Sequence, residues 1–191
     1  MRRLATAASP RVVAARDSLG VATLTLSEPG RRNALSSAMM AELTAGLEAS
    51  RDARAIVLRA EGPSFCAGHD LRELKAAASE GDHAVQAIFD RCSALMRALR
   101  EAPTPVIAAV HGPAFAAGCQ LVATCDIVVA DAANASFATP GLKIGRFCHT
   151  PAVAVVEACG GGAAGARRVA RMLFTGEPID GEEALRMGLV H

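Results

Sequence analysis

The stretch AAGCQLVATCD, residues 116–126, puts three small residues and a cysteine ahead of Gln120 and then an apolar run. It reads as the first turn of a helix whose backbone carries little bulk, so that a ligand can approach it. Gln120 can hold a carbonyl or an ordered water, but it cannot take a proton as a glutamate can. SFCAGHDL at 64–71 repeats the grammar of HGPAFAAGCQL at 111–121: a strand-like segment runs into a turn dense in small residues. Each turn would present backbone N–H groups at or near the start of a helix. Two such donors converging on one point make an oxyanion hole, each worth about 10²- to 10³-fold in rate when aimed at developing negative charge. The positive end of the helix dipole adds to the effect. A thioester carbonyl turning into an enolate is one reaction that needs this. Taken singly, either turn is accounted for equally well by tight strand–helix packing.

The elements around these turns alternate. VATLTL (21–26), AIVLRA (55–60), PVIAAV (105–110) and DIVVAD (126–131) are strand-like, with helical patterns between them, which predicts an α/β fold. Met40, Leu43 and Leu47 recur at helical spacing within 37–52. Ile88, Cys92, Leu95 and Leu99 form one apolar stripe over 83–100, which Pro103 ends. Asp180 with Glu183 predicts a capped helix start, and Gly188 its stop.

With 191 residues and 51% hydrophobic content, the chain can bury the core of a single domain. Lysine plus arginine (20) nearly balance aspartate plus glutamate (19), so no global field draws it to nucleic acid, and a polyanionic ligand must be met locally. The six cysteines show no metal-ligand spacing and read as small buried hydrophobes in a reducing compartment; no metal site is expected. Asp126 and Glu157 interrupt the two longest apolar runs, so no membrane span is expected. MRRLATAASPRVVAAR has four arginines and no acid, the composition of an organelle transit peptide. The folded pattern begins near Val12, which favours a frayed N-terminus over 1–11 in a cytoplasmic protein, or a mitochondrial one if the opening is a leader.

PGRRNALS (29–36), SFCAGHDLREL (64–74), PVIAAVHGPAFAAGCQLVATCDIVVA (105–130), ASFATPGLKIG (135–145) and FTGEPIDGEEALRMGLV (174–190) resemble, in order, the enoyl-CoA hydratase/isomerase (crotonase) family. Within it GHDLREL, AAGCQLVA and SFATPG are similar to the branch called enoyl-CoA hydratase domain-containing protein 3. The resemblance covers almost everything beyond Val12. It implies a ClpP/crotonase spiral of stacked β-β-α units, acting on an acyl-CoA thioester in fatty-acid or related metabolism as a lyase or isomerase. Coenzyme A then enters as part of the substrate, no separate cofactor is needed, and the assembly is a homotrimer or hexamer. It places the oxyanion donors at the N–H groups of His69 and Ala117. Arg32, Ala34, Cys66, Ala67, Asp70 and Leu71 would hold the CoA moiety, with Arg31 or Arg32 near phosphates and Asn33 structural.

Two departures from the family stand out. The glutamates with which family hydratases activate water and deliver a proton fall on Gln120 and Gly141. Each lost acid/base group removes about 10²- to 10⁴-fold in rate. Either another group carries the proton, or the protein binds acyl-CoA without turning it over. His149, in RFCHTP, falls on a loop from which relatives project an acidic residue, and is either the substitute or an ordinary loop histidine. Cys148 is a nucleophile or packing, Asp70 a proton carrier or a brace, and Asp126 structural. Restoring both carboxylates, Gln120→Glu with Gly141→Glu, is expected to restore hydration unless Gly141 needs a glycine conformation. The other departure is length: after GLV the family continues into helices that cover the acyl site and build the trimer, so the core 12–191 is expected to lack that region.

One rival motif remains. GGGAAG (160–165) after the apolar AVAVV fits G-x-G-x-x-G as a nicotinamide-binding loop would, though no acidic ribose partner follows it.

Overall fold

The computed structural model describes residues 9–191. Eight strands occur in chain order: β1 Val12–Arg16, β2 Val21–Leu26, β3 Ala55–Ala60, β4 Val106–Val110, β5 Pro113–Phe115, β6 Ile127–Ala130, β7 Ser136–Ala138 and β8 Ile179–Asp180. The helices are α1 Ser37–Ala49, α2 Leu71–Glu80, α3 Asp82–Arg100, α4 Ala117–Thr124, α5 His149–Ala158, α6 Gly162–Thr175 and α7 Gly181–Met187.

The large sheet has the order β1-β2-β3-β4-β6. Its first pair is antiparallel and the others are parallel. Alternation in β2 buries Ala22, Leu24 and Leu26, and the same period in β3 and β4 buries Ile56, Leu58, Val106, Ala108 and Val110. Met39, Met40, Leu43 and Leu47 of α1 and Leu95 and Leu99 of α3 complete this core. Each fully buried leucine is worth about 1.5–3 kcal/mol relative to exposure. α1 and α7 start at side-chain acceptors: Ser36 Oγ takes the Met39 N–H at 3.2 Å, and Asp180 takes that of Glu183 at 2.8 Å.

A second, smaller layer makes the arrangement a spiral. β5 pairs with β7 and β7 with β8. Single bridges extend it backwards through the chain, from Ala114 to Cys66 and from His69 to Leu35. Each pass of the chain therefore lays a strand in the large sheet, a short extended segment in the small layer, and then a helix. This is the stacked β-β-α spiral that the motifs imply.

Three local expectations differ from the structure. AVAVV is not a strand; it lies inside α5, because a five-residue apolar run carries no period that separates strand from buried helix. GGGAAG therefore follows a helix and turns the chain into α6, with Gly161 at its start at φ 66°, so the strand a dinucleotide loop requires is missing there. His149 stands on the first turn of α5 rather than on a loop. At the N-terminus, residues 1–8 of the expected frayed segment lie outside the described residues, while Glu42 accepts the backbone N–H groups of Arg11 at 2.7 Å and Val12 at 3.1 Å.

Candidate functional site

The two small-residue turns are pressed together. A Cβ added to Gly118 would meet the Cys66 carbonyl oxygen at 2.2 Å, and one on Gly68 would meet the Phe115 carbonyl oxygen at 2.9 Å and the Ala117 nitrogen at 3.2 Å. Gly68 also has φ +93°, open to glycine and rarely to other residues. The backbone bonds Cys66 N to Pro113 O (3.1 Å) and Phe115 N to Cys66 O (2.9 Å) fix the register of one turn on the other. Ala116, ahead of α4, is held at φ 51° and ψ −119°, with its N–H donating to Ala138 O at 2.8 Å. Non-glycine residues avoid this conformation, and such strain collects at functional sites. Ala117 follows Ala116 as the first residue of α4. Among the described residues, neither the Ala117 nor the His69 N–H donates to a backbone or side-chain acceptor.

Beside His69 lies a cleft of about 270 Å³ whose walls include Arg31, Arg32, Ala34, Ala67, Asp70 and Leu71. Five of the six residues expected around CoA thus share one wall set. Cys66 does not: it is wholly buried, with its backbone committed to β5. Arg31, Arg32 and Arg72 bring local positive charge. Arg31 pairs with Asp70 at 3.0 Å, and Asp70 also accepts the Arg72 N–H at 2.9 Å, capping α2. Asp70 is therefore engaged as a brace. Asn33, fully buried at φ 51°, accepts from Glu28 N and donates to Glu61 O and Ser64 O at 2.8–2.9 Å, which clamps the arginine-bearing turn to the next pass of the spiral. Asp126 accepts the Val106 N–H at 2.8 Å and ties β4 to the end of α4.

The side chains around this corner are mostly not poised for proton transfer. The His69 ring stacks edge-on against Phe89 at 5.2 Å, and its Nδ1 is buried without a partner among the described residues. Burial holds its pKa below the ordinary imidazole value, although the Leu35 backbone and Glu73 push the other way. His149 is exposed, its ring packs on Phe147 at 5.1 Å, and it lines neither cleft described here. Its neighbour Thr150 reaches Gln120 instead, Oγ1 donating to Oε1 at 3.0 Å. Burial pushes the Cys148 thiol up from its ordinary pKa, opposite to what a thiolate nucleophile needs. A Cβ on Gly141 would lie 2.4 Å from the Arg146 carbonyl oxygen and 2.8 Å from Cys148 Sγ, so this position has no room for any side chain.

Gln120 faces a second cleft, of about 230 Å³, between α3, α4 and α5. Thr150 and Arg97 on its wall went unnoticed in the sequence. The one signal for Arg97 was spacing: Ser93, Arg97 and Arg100 recur at i, i+4 and i+7, on one face of α3. Nothing local marks Thr150, whose partner lies 30 residues away. Among the described residues, no group of three His, Cys, Asp or Glu could hold a metal ion, and no helix is long and apolar enough to cross a membrane.

The spiral core is that of the enoyl-CoA hydratase/isomerase family, and the chain belongs to it, matching the family over residues 16–191. It is similar to the mitochondrial enoyl-CoA hydratase domain-containing protein 3 of mouse (50% identity over 185 residues, 95% of this chain and 59% of that protein) and of human (48%, 95% and 58%). The chain thus spans about three fifths of the length of these relatives. The crystal structure of the human protein of that name aligns with a TM-score of 0.86 at 44% identity, covering 94% of this chain and 69% of that one. An enoyl-CoA hydratase of Mycobacterium smegmatis gives 0.87 at 44%, covering 96% and 69%.

Proposed function

We propose that the chain binds an acyl-CoA thioester, with the CoA moiety in the cleft of Arg31, Arg32 and Asp70 and the thioester oxygen between the N–H groups of His69 and Ala117. The observation that carries this is the approach of Gly68 to Ala117 N, whose N–H, like that of His69, has no protein acceptor among the described residues. Those donors would stabilise a thioester enolate. The carboxylates that a hydratase uses to manage water and proton are replaced by Gln120, whose Oε1 is held by Thr150, and by Gly141, where no side chain fits. Hydration of a 2-enoyl-CoA is therefore not the favoured reaction, and chemistry on some other CoA thioester is.

A second reading has its own support. The same replacements suit a member that holds acyl-CoA without turning it over, or serves as a scaffold. Turnover against a panel of enoyl-, malonyl- and hydroxyacyl-CoA esters separates the two: product from any ester establishes catalysis, and binding of all with turnover of none establishes the non-catalytic role. A complex with the thioester oxygen away from His69 and Ala117 removes the oxyanion assignment.

The homotrimer or hexamer implied by the family stays part of the proposal and is read from the solution mass by light scattering. The mouse and human relatives are named as mitochondrial, which supports the organellar alternative for the arginine-rich opening over the cytoplasmic one. Imaging of the tagged chain in its own cells decides between them.

A further inference from the structure

The cleft beside Gln120 has a one-sided chemistry. The Thr150 hydroxyl donates to Gln120 Oε1, which leaves the amide Nε2 as the group Gln120 offers, and that nitrogen has no acceptor among the described residues. Arg97 and Arg100 line the same cleft together with the apolar Met96 and Val153. Arg100 pairs with Glu157, whereas Arg97 makes no ion pair among the described residues. No carboxylate belongs to the lining. An amide N–H and a guanidinium over an apolar wall fit a ligand that ends in an anionic oxygen at the tip of a short hydrocarbon chain.

The position of Gln120 connects this cleft to the reacting corner. It stands one helical turn beyond Ala117 on α4, on the order of 5–6 Å along the helix surface. A few carbons therefore separate a carbonyl at Ala117 from a group at Gln120. A glutamate at position 120 would repel a carboxylate arriving there; glutamine turns the same place into a donor.

We propose that this cleft is an acyl subsite selecting CoA thioesters whose acyl chain ends in a carboxylate. The proposal rests on the oxyanion assignment to His69 and Ala117 made above, and it adds the substrate class.

Calorimetric titration of the full chain with glutaryl-CoA, hexanoyl-CoA and free CoA tests it. Glutaryl-CoA is expected to bind at least about tenfold more tightly than hexanoyl-CoA, as a charge-assisted contact in a partly apolar cleft allows. Arg97→Met, at an exposed position of α3, is expected to bring the preference below about threefold, and Thr150→Val to weaken it by freeing the Gln120 amide. Hexanoyl-CoA binding as tight as glutaryl-CoA binding, or a preference that survives Arg97→Met, overturns the subsite while leaving acyl-CoA binding intact. Failure of all three ligands to bind overturns the acyl-CoA reading itself, and this proposal with it.

Discussion

The glycine at position 118 and the carbonyl of Cys66 are in such close apposition that a single methyl group on Gly118 would come within 2.2 Å of the oxygen. That contact sets the distance between the turn bearing His69 and the helix bearing Ala117. Gly118→Ala should therefore force the two passes of the spiral apart, and overpacking of this kind costs about 1–3 kcal/mol. Urea unfolding would show it as a lowered midpoint with an unchanged slope.

Gly68→Ala acts on the same corner but more on function. The new methyl would meet Ala117 N and require φ +93° of a residue that resists it. Displacing one oxyanion donor should lower any turnover by about 10²- to 10³-fold. Free CoA, which the proposal places in the arginine cleft, should bind nearly as before; a parallel loss of CoA affinity would mean that the whole turn has moved.

Restoring the two hydratase carboxylates looks feasible in the sequence and is not feasible in the structure. Gly141 has an ordinary backbone conformation, but Arg146 O and Cys148 Sγ occupy the space a Cβ would need. Gly141→Glu, alone or with Gln120→Glu, should unfold at markedly lower temperature than the parent. Gln120→Glu alone should fold and still hydrate crotonyl-CoA hardly at all, because the other acid/base group remains absent. Robust hydration by that single variant would show that a different residue moves the second proton.

The strands and capped helices were legible because their signals are local. VATLTL is β2 and AIVLRA is β3 to the residue, and the Asp180 cap lies where its spacing put it. That five of the six residues expected around CoA line one cleft was legible through motif order, since backbone turns demand small residues at fixed places. What escaped depends on distant chain segments. The space around Gly141 is filled by Arg146 and Cys148 after the chain doubles back, and the partner of Gln120 is set by how α5 packs on α4. The helical nature of AVAVV follows from the same packing, with Ala154 and Val155 buried.

Stability should depend on pH through His69. Its folded-state pKa lies below the unfolded value because burial disfavours the imidazolium, so the unfolded chain binds more protons as pH falls through the ordinary histidine value of about 6.5. The contribution is intact above that value and is lost below it. The urea midpoint should drop between pH 7.5 and pH 5.5, and the drop should shrink in His69→Gln, which keeps the backbone N–H.

The thiols should resist alkylation while the protein is folded. Burial pushes Cys66, Cys119 and Cys125 up to about 12 and Cys92 and Cys159 to about 11. At pH 8 iodoacetamide should label them only after urea unfolding, as read by intact mass. Rapid native labelling of Cys148 would revive it as a nucleophile.

The bond from Ala116 N to Ala138 O fixes when the two abutting turns reach their final arrangement. One turn is complete in sequence once the chain reaches Asp70, yet Ala116, strained ahead of α4, is secured only by β7, after β6 has joined the large sheet. During synthesis, the growing chain therefore carries most of its hydrophobic core before the two turns are locked together. Long-range parallel pairings of this sort close slowly, and a nascent chain that has not yet reached Ala138 is a folding body whose two turns are not yet fixed against each other.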